Sequence, residues 1–266
     1  MKFDLKQYFN RIGWHPNGES LYEQLSAVHM RHAQSIPFEN LDAYLNHSVS
    51  LDPDDIFDKI VMRKRGGYCF EMNALIYLAL DAMGFEIKPY AARVCREKTG
   101  YSGYSHRVNI VELNAKRYLI DVGFGGNGLI TPVLLEEGLI QRQQLNTYRV
   151  VRSAHIDFAL QCLKEGEFSD MIGFNDRPAL QEDFVIGNYY TGSNPGSFFA
   201  ANIICIIPTE KGRISLVNNT LTIVENGGLR KIEVPDEKRS EVLKTYFHIE
   251  DENVLQQLKE KVTVHG

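Results

Sequence analysis

The chain has 266 residues, of which 44% are hydrophobic, so it is long enough to bury a substantial core. Its 29 Lys and Arg residues against 34 Asp and Glu residues leave a formal charge of −5, without any block of like charges. This balance excludes the basic arm typical of nucleic-acid binding and favours chemistry on a small molecule.

Helical patterns dominate the first third of the chain. Ser20 and Glu23 form a capping box, in which each side chain accepts a hydrogen bond from the other's backbone amide. The Asp-Pro pair at 52–53 supplies an N-cap and a first-turn proline for a second helix. A third helix is predicted over 69–83, where Ala and Leu are frequent, and Gly84 ends it.

From residue 86 the pattern changes to short runs rich in β-branched and aromatic residues, which predict a sheet or barrel. After the last of these runs, two polar helical patterns occur near 236–247 and 251–261. The predicted strands are EIKPYAARV at 86–94, HRVNIVEL at 106–113, RYLIDVGF at 117–124, TYRVVR at 147–152, FVIGNYY at 184–190, ANIICIIP at 201–208, RISLV at 213–217, LTIV at 221–224 and KIEV at 231–234.

The cysteines and the first residues bear on the cellular compartment. The cysteines are isolated, form no CxxC motif and belong to a chain too large to need disulfides. The opening MKFDLKQYFN lacks a basic segment followed by an apolar one, and the longest apolar run, at 74–80, is too short to cross a bilayer. We therefore expect a cytoplasmic protein with reduced thiols and no membrane partner.

One cysteine has a setting that favours reactivity. Gly66 and Gly67 stand just before Cys69, and such glycines let the backbone turn tightly and approach a ligand. Cys69 begins the third predicted helix, whose N-terminal partial charge favours a thiolate, and whose free amides could hold a developing oxyanion. The ordinary role of a cysteine is that of a small buried hydrophobe, which we assign to the others, Cys95, Cys162 and Cys205.

A cysteine nucleophile needs a base and a group that orients the base. His106 opens one predicted strand, Asp121 ends the next, and the dipeptide 114–115 connects them. If this dipeptide is the hairpin loop, His106 and Asp121 share one face of the sheet as diagonal neighbours. A register shift of one residue would separate them, and each alone has an ordinary structural interpretation. Together with Cys69 they form a candidate thiol triad.

The remaining histidines carry no comparable signal. His29 and His32 lie three residues apart on the first amphipathic helix, the spacing of a possible pair of metal ligands. No nearby Cys, Asp or further His completes a metal shell. We predict no metal and assign both histidines a structural role.

A glycine motif follows the strand that ends near Asp121. Gly123, Gly125 and Gly128 match the dinucleotide-binding pattern G-x-G-x-x-G. That motif opens a helix, whereas Pro132 and β-branched residues follow here, and no second strand ending in an acidic residue appears where the motif requires it. We therefore reject dinucleotide binding. The glycines predict a tight turn, either purely structural or shaped to pass a pantetheine or pyrophosphate arm.

Several segments resemble the arylamine N-acetyltransferase family. The resemblance runs in order from near the N-terminus to about residue 203, and the segments RGGYCFE and DVGFGG are its most specific parts. The matching segments are IPFENL at 36–41, RGGYCFEMN at 65–73, SHRVNIV at 105–111, IDVGFGG at 120–126 and SFFAANI at 197–203.

The resemblance implies an α+β fold in three parts with a cysteine-protease-like catalytic triad. A helical domain over 1–85 carries the nucleophile, a β-barrel-like domain over 86–200 carries the His and the Asp, and an α/β lid covers 201–266.

The resemblance also implies roles for individual residues. Cys69 is the acyl-carrying nucleophile, His106 its base and Asp121 the orienting acid, while Arg65 and Glu39 form a structural ion pair beneath the site. The residues expected to line the acceptor pocket are Phe38, Phe124 and Phe199. Those expected to contact coenzyme A are Ser105, Gly125 and Gly126.

The implied reaction is a ping-pong transfer, with an acetyl-cysteine intermediate and acetyl-CoA as co-substrate. The acceptors are arylamines, arylhydrazines or related N-hydroxy compounds, and the role is xenobiotic metabolism. Two alternatives remain open. A thiol hydrolase or transglutaminase-like enzyme would use the same triad without acetyl-CoA. A non-catalytic binding module would function unchanged after Cys69→Ala. The physiological acceptor, the range of acyl donors and the oligomeric state are not given by the sequence.

Overall fold

The computed structural model describes residues 2–96, 99–153 and 155–265. Within these ranges the chain forms nine α-helices, together with π-helical turns at Asp58–Met62 and Tyr189–Ser193. The helices are α1 (Leu5–Ile12), α2 (Leu21–Ser35), α3 (Leu41–Tyr44), α4 (Pro53–Phe57), α5 (Cys69–Ala82), α6 (Gln181–Asn188), α7 (Phe198–Ala201), α8 (Arg239–Phe247) and α9 (Glu252–His265).

The strands of the described ranges form two antiparallel sheets. The larger sheet, in the order β5-β4-β3-β2-β9-β8-β7-β6, is nearly closed into a barrel around its own apolar cluster, and the smaller has the order β1-β10-β11-β12-β13. The strands are β1 (Phe38–Glu39), β2 (Glu86–Arg96), β3 (Gly100–Leu113), β4 (Lys116–Ile120), β5 (Val133–Leu134), β6 (Gln141–Arg142), β7 (Thr147–Val151), β8 (Phe158–Lys164), β9 (Glu167–Phe174), β10 (Ile204–Thr209), β11 (Gly212–Val217), β12 (Thr220–Glu225) and β13 (Gly228–Glu233).

The predicted helix signals are confirmed. The Ser20 hydroxyl accepts the Glu23 amide at 3.4 Å, and the Glu23 carboxylate accepts the Ser20 amide at 2.9 Å, which completes the capping box of α2. Asp52 caps α4 by accepting the Asp54 amide at 2.8 Å. Gly84 follows α5 in the left-handed conformation, with φ of +86°, which glycine adopts without steric cost.

The predicted register of the β3–β4 hairpin is also confirmed. Leu113 lies opposite Lys116, and the two loop residues Asn114 and Ala115 have φ values of 50° and 56°. Positive φ at both central residues is the requirement of a two-residue type I′ turn. The strand β4 is shorter than predicted and ends at Ile120, so that Asp121 begins the loop beyond it.

The strand predicted at 184–190 is wrong. This stretch forms the end of α6 and the start of the second π-helical turn. Asp183 accepts the Leu180 amide at 2.9 Å and so starts a helix, and Phe184 then packs against Phe70. These contacts outweigh the local preference of adjacent β-branched residues for a strand. The sequence patterns also missed α1, β8 and β9.

The predicted division at 85 and 200 is not tested by these features and stays a prediction. The predicted first and third parts both contribute strands to the smaller sheet, because Phe38 of β1 pairs with Ile206 of β10. All the cysteines have free thiols. No helix in the described ranges has both the length and the apolar character needed to span a membrane.

Candidate active site

The N-terminus of α5 holds Cys69 as its first residue. The Glu71 carboxylate accepts the Tyr68 amide at 3.0 Å and caps the helix. A Cβ atom at Gly66 would lie 2.1 Å from the Pro37 carbonyl oxygen, so only glycine allows the chain to pass there. The close approach at Gly66 is therefore to the Pro37 backbone, and the predicted approach of the glycine pair to a ligand stays a prediction.

The structure brings the three predicted triad residues together. The His106 Nε2 atom lies 2.7 Å from an Asp121 carboxylate oxygen, and the Cys69 Sγ atom lies 3.8 Å from the Ser105 carbonyl oxygen, one residue before His106. Cys69 is 5% exposed, His106 2% and Asp121 1%. The three side chains thus form one buried group.

Electrostatics couple the histidine to the aspartate. Burial opposes the charged imidazolium, but the charge and hydrogen bond of Asp121 outweigh it, and together with a hydrogen bond to Cys69 they raise the pKa of His106 to about 10. Burial alone would raise the pKa of Asp121, yet the charge of His106 and the hydrogen bonds that the carboxylate accepts hold it below its ordinary value. The arrangement favours an imidazolium beside a carboxylate.

Asn73, which the sequence analysis did not single out, supports this pair. It lies one turn after Cys69 on α5, and its Nδ2 atom donates to Asp121 Oδ1 at 2.9 Å. Its Oδ1 atom accepts the Val122 amide at 3.0 Å, and the Gly123 amide donates to Asp121 Oδ1 at 3.0 Å. The available signal was an amide side chain on the largely apolar helix α5.

A cavity of about 720 Å³ opens onto Cys69 and His106. Its walls include the predicted acceptor-site residues Phe38, Phe124 and Phe199, as well as Ser105. Sequence reasoning missed most of the other wall residues because 190–202 was predicted as strand at both ends and left unassigned between, whereas Val94 and Arg96 lie at the end of β2. The missed residues are Val94, Arg96, Tyr190, Thr191, Pro195, Gly196, Ser197, Phe198, Ala201 and Asn202.

The glycine motif forms a loop that leads into β5, so it lacks the helix that a dinucleotide-binding motif opens. Gly125 and Gly126 lie outside the walls of the large cavity, and Gly125 lines a small neighbouring cavity instead. Arg213 of β11 donates to the Gly126 carbonyl at 2.6 Å, and the Tyr148 hydroxyl lies 2.9 Å from the Gly128 carbonyl. These two hydrogen bonds direct the Gly126 and Gly128 carbonyls toward Arg213 and Tyr148.

A buried cluster of charges lies between α5, α3 and the first π-helical turn. Arg65 donates to Glu39 at 2.7 Å and to Asp42 at 2.9 Å, so the expected ion pair is present. Lys59 bridges Asp42 at 2.6 Å and Glu71 at 2.7 Å. Glu71 also caps α5, so the cluster holds the segment that ends at the cysteine.

Comparison with known proteins identifies the family to which the chain is similar. A family model described as N-acetyltransferase matches residues 22–255. The arylamine N-acetyltransferase of Mycolicibacterium smegmatis is 33% identical over 238 residues, which cover 87% of this chain and 86% of that protein. The arylamine N-acetyltransferase of Escherichia coli strain K12 is 33% identical over 225 residues, with 84% and 80% covered.

Solved structures agree. The arylamine N-acetyltransferase of Mycobacterium marinum in complex with CoA superposes with a TM-score of 0.91 at 28% identity, over 97% of this chain and 98% of that one. Fold and sequence together define an enzyme of the acyltransferase class. The chain belongs to the arylamine N-acetyltransferase family, which confirms the resemblance drawn from its motifs.

Proposed function

We propose that this protein moves an acetyl group from acetyl-CoA to an aromatic amine, hydrazine or N-hydroxy compound through a thioester on Cys69. The observation that carries the proposal is the buried group of Cys69, His106 and Asp121 at the wall of an aromatic cavity. The name of the M. marinum complex supports coenzyme A as the donor. A Salmonella typhimurium relative named as both an arylamine N-acetyltransferase and an N-hydroxyarylamine O-acetyltransferase supports both kinds of acceptor.

In the first half-reaction the Cys69 sulfur attacks the acetyl carbonyl carbon of acetyl-CoA. Before the attack the thiol proton already resides on His106, whose imidazolium is stabilised by Asp121, so Cys69 reacts as the thiolate. The carbon–sulfur bond to coenzyme A then breaks, and the departing thiolate takes the proton from His106. One thioester replaces another, so the acetyl group stays activated on the enzyme.

In the second half-reaction the acceptor nitrogen attacks the acetyl carbon on Cys69. An aromatic amine is neutral at pH 7 and retains the lone pair that this attack needs. His106 removes the proton from nitrogen as the new bond forms, and the Cys69 thiolate leaves as the thioester breaks. The products are the acetylated amine and the starting pair of Cys69 thiolate and His106 imidazolium.

The aromatic walls of the cavity suit a flat acceptor ring. Phe38 and Phe199 lie with ring centroids 6.1 Å apart, and the Phe124 ring stands edge-on to His106 at 5.8 Å. Such surfaces bind an aromatic ring by area and by edge-to-face contact. They also limit the entry of water, which would otherwise hydrolyse the acetyl thioester.

The coenzyme A contacts are proposed at Ser105, Gly125 and Gly126. Ser105 lines the cavity beside the histidine. The space around Gly126 is open, since a Cβ atom there would meet nothing within 4 Å. With the loop carbonyls held inward by Arg213 and Tyr148, the outer face of the loop can receive a phosphate-bearing arm.

Intact-mass measurement after mixing reduced protein with acetyl-CoA alone tests the proposal. We expect one acetyl group, mapped by peptide analysis to Cys69, and its loss when an arylamine is added. Cys69→Ser should abolish this labelling, whereas Cys95→Ser, which removes a free thiol outside the cavity, should leave it intact.

The same experiment separates the rival that shares the triad. A thiol hydrolase would show no acetyl adduct on Cys69 in fresh protein and would cleave an amide substrate without acetyl-CoA. That result would overturn the proposal of acetyl transfer but would remain compatible with catalysis by Cys69, His106 and Asp121.

A further inference from the structure

His29 of α2 links the two ends of the glycine loop. Its Nδ1 atom lies 3.1 Å from the Ile130 carbonyl oxygen, and its Nε2 atom lies 3.3 Å from the Asp121 amide nitrogen. The side chain is completely buried. The loop between residues 121 and 130 is therefore tied at both ends to one imidazole from the helical part of the chain.

The two bonds fix the chemical state of this ring. A carbonyl only accepts and an amide only donates, so Nδ1 must carry the hydrogen and Nε2 must be bare. Burial lowers the pKa of His29 to about 4, against the opposing effects of the Ile130 carbonyl and the charge of Asp121. His32, which follows on the same helix, is also buried, and burial lowers its pKa as well. A protonated ring would carry a hydrogen on Nε2 that faces the hydrogen of the Asp121 backbone amide, and this hydrogen bond would be lost.

Asp121 needs such support because the strand ends before it. The β3–β4 ladder stops at the pair of Asn109 and Ile120, so the Asp121 backbone has no partner strand. Asn73 and the Gly123 amide hold the carboxylate, whereas His29 holds the backbone amide. The position of the carboxylate relative to His106 thus depends on two separate anchors.

We propose that His29 is a positioning residue for catalysis, which fixes the Asp121 backbone so that the carboxylate meets His106. The inference rests on the proposed function in taking Asp121 as the partner of the catalytic base. Loss of the anchor lets the loop shift away from β3. A displacement of about 1 Å from a productive geometry costs on the order of 100-fold in rate.

His29→Phe tests the proposal, with His32→Phe as the matched control. His32 lies on the same helix, is equally buried and bonds Tyr8 of α1 at 2.9 Å instead of a loop residue. We expect both variants to lose stability, but only His29→Phe to lose about 10- to 100-fold in kcat. In His29→Phe the pH profile of Cys69 alkylation by iodoacetamide should also move to higher pH. The charged groups beside Cys69 that set this profile are His106 and Asp121.

A second pair of variants keeps the proposal testable if the phenylalanine variant does not fold. His29→Gln can present an oxygen near the Nε2 position to accept the Asp121 amide, whereas His29→Asn reaches only toward Ile130. We expect the Gln variant to recover most of the rate and of the alkylation profile, and the Asn variant to recover neither. Equal behaviour of the Gln and Asn variants, or a profile in His29→Phe equal to that in His32→Phe, overturns the proposal.

The alkylation profile requires no acetyl donor. If the wild-type protein fails to acetylate, the proposed function falls, but the comparison of alkylation profiles still decides whether His29 positions the Asp121–His106 pair.

Discussion

Asp121 keeps its charge in a place where burial alone would remove it. The carboxylate accepts hydrogen bonds from His106, Asn73 and the Gly123 amide, and these hold its pKa below the ordinary value. In return its charge raises the pKa of His106 to about 10. Removing one member of such a buried pair leaves the other uncompensated, which costs more than the pair itself contributes.

Asp121→Asn keeps the shape of this side chain and removes its charge. Because the pKa of His106 is raised in the folded protein, the stabilisation from its charged form is full below about pH 6.5 and is lost as pH rises through about 10. In the variant we expect the His106 pKa to fall and the rate of acetyl transfer to drop by about 100-fold or more. Single-turnover kinetics and an NMR titration of the imidazole measure the two effects.

The control for this change is Glu136→Gln, which removes an exposed carboxylate outside the cavity. It should alter neither the rate nor the titration. An Asp121→Asn enzyme that titrates and reacts like the wild type would show that the carboxylate does not support the base.

Gly123 lies directly against the nucleophile. A Cβ atom there would stand 2.7 Å from the Cys69 Cα atom and 2.8 Å from the Asn73 Nδ2 atom. We expect Gly123→Ala to displace the loop or the start of α5 and to lower the acetylation rate by about 10-fold or more. Gly103→Ala is the matched control, because a Cβ atom there meets nothing within 4 Å. Equal acetylation rates in the two variants would contradict this packing argument.

At the scale of elements, the sequence predicted those features that depend on interactions between residues close together in the chain. The caps of α2 and α4, the start of α5 at Cys69 and the β3–β4 register depend on residues a few positions apart. The candidate triad could be predicted because this register places His106 and Asp121 on one face of the sheet.

Other parts of the site were beyond the reach of local patterns. The α6 helix depends on packing across long sequence separations, such as Phe184 on Phe70, while its β-branched residues favour a strand. The anchor at His29 depends on an imidazole meeting an amide 92 positions away. Periodicity places the histidine on a buried helix face but does not identify its partner.

The turn between β3 and β4 contains a residue that is poorly suited to it. Ala115 has a φ value of 56° and is exposed, and a side chain in this region costs roughly 1–2 kcal/mol relative to glycine. We expect Ala115→Gly to raise the free energy of unfolding by about 1 kcal/mol without a change in activity. Urea denaturation measures the gain, and Ala115→Val should change stability in the opposite direction.

At the scale of the whole molecule, the cavity lies where the helical part, the barrel-like sheet and the smaller sheet meet. The Asn40 amide donates to the Phe199 and Asn202 carbonyls at 2.7 Å and its oxygen accepts the Ile204 amide at 2.7 Å. Arg213 joins the smaller sheet to the glycine loop. The aromatic walls are thus held by contacts between distant segments.

The buried charge cluster makes the assembly sensitive to acid. Burial would raise the pKa of Asp42, but the charges of Lys59 and Arg65 lower it well below its ordinary value. Its stabilising contribution is therefore present above about pH 4 and is lost as pH falls below that value. We expect Asp42→Asn to cost about 3–5 kcal/mol at pH 7 and less below pH 4, as measured by urea unfolding at both values.

Asp176→Asn provides the comparison, since Asp176 pairs with Arg117 at the surface. A surface pair contributes about 0–1 kcal/mol, so this variant should lose little at either pH. A loss in Asp42→Asn as small as that in Asp176→Asn would contradict the role given to the buried cluster.

The pairing of β1 with β10 also bears on how the enzyme is made. Phe38 meets Ile206, a contact between segments that a ribosome produces far apart in time. Contacts of such wide sequence separation form late, because a long loop must close first. During synthesis Cys69 emerges well before β10, the strand that pairs with Phe38 at the cavity wall. The cavity beside Cys69 is therefore enclosed only after the segment with Phe198 and Phe199 has been made, so a shorter nascent chain presents Cys69 without these aromatic walls.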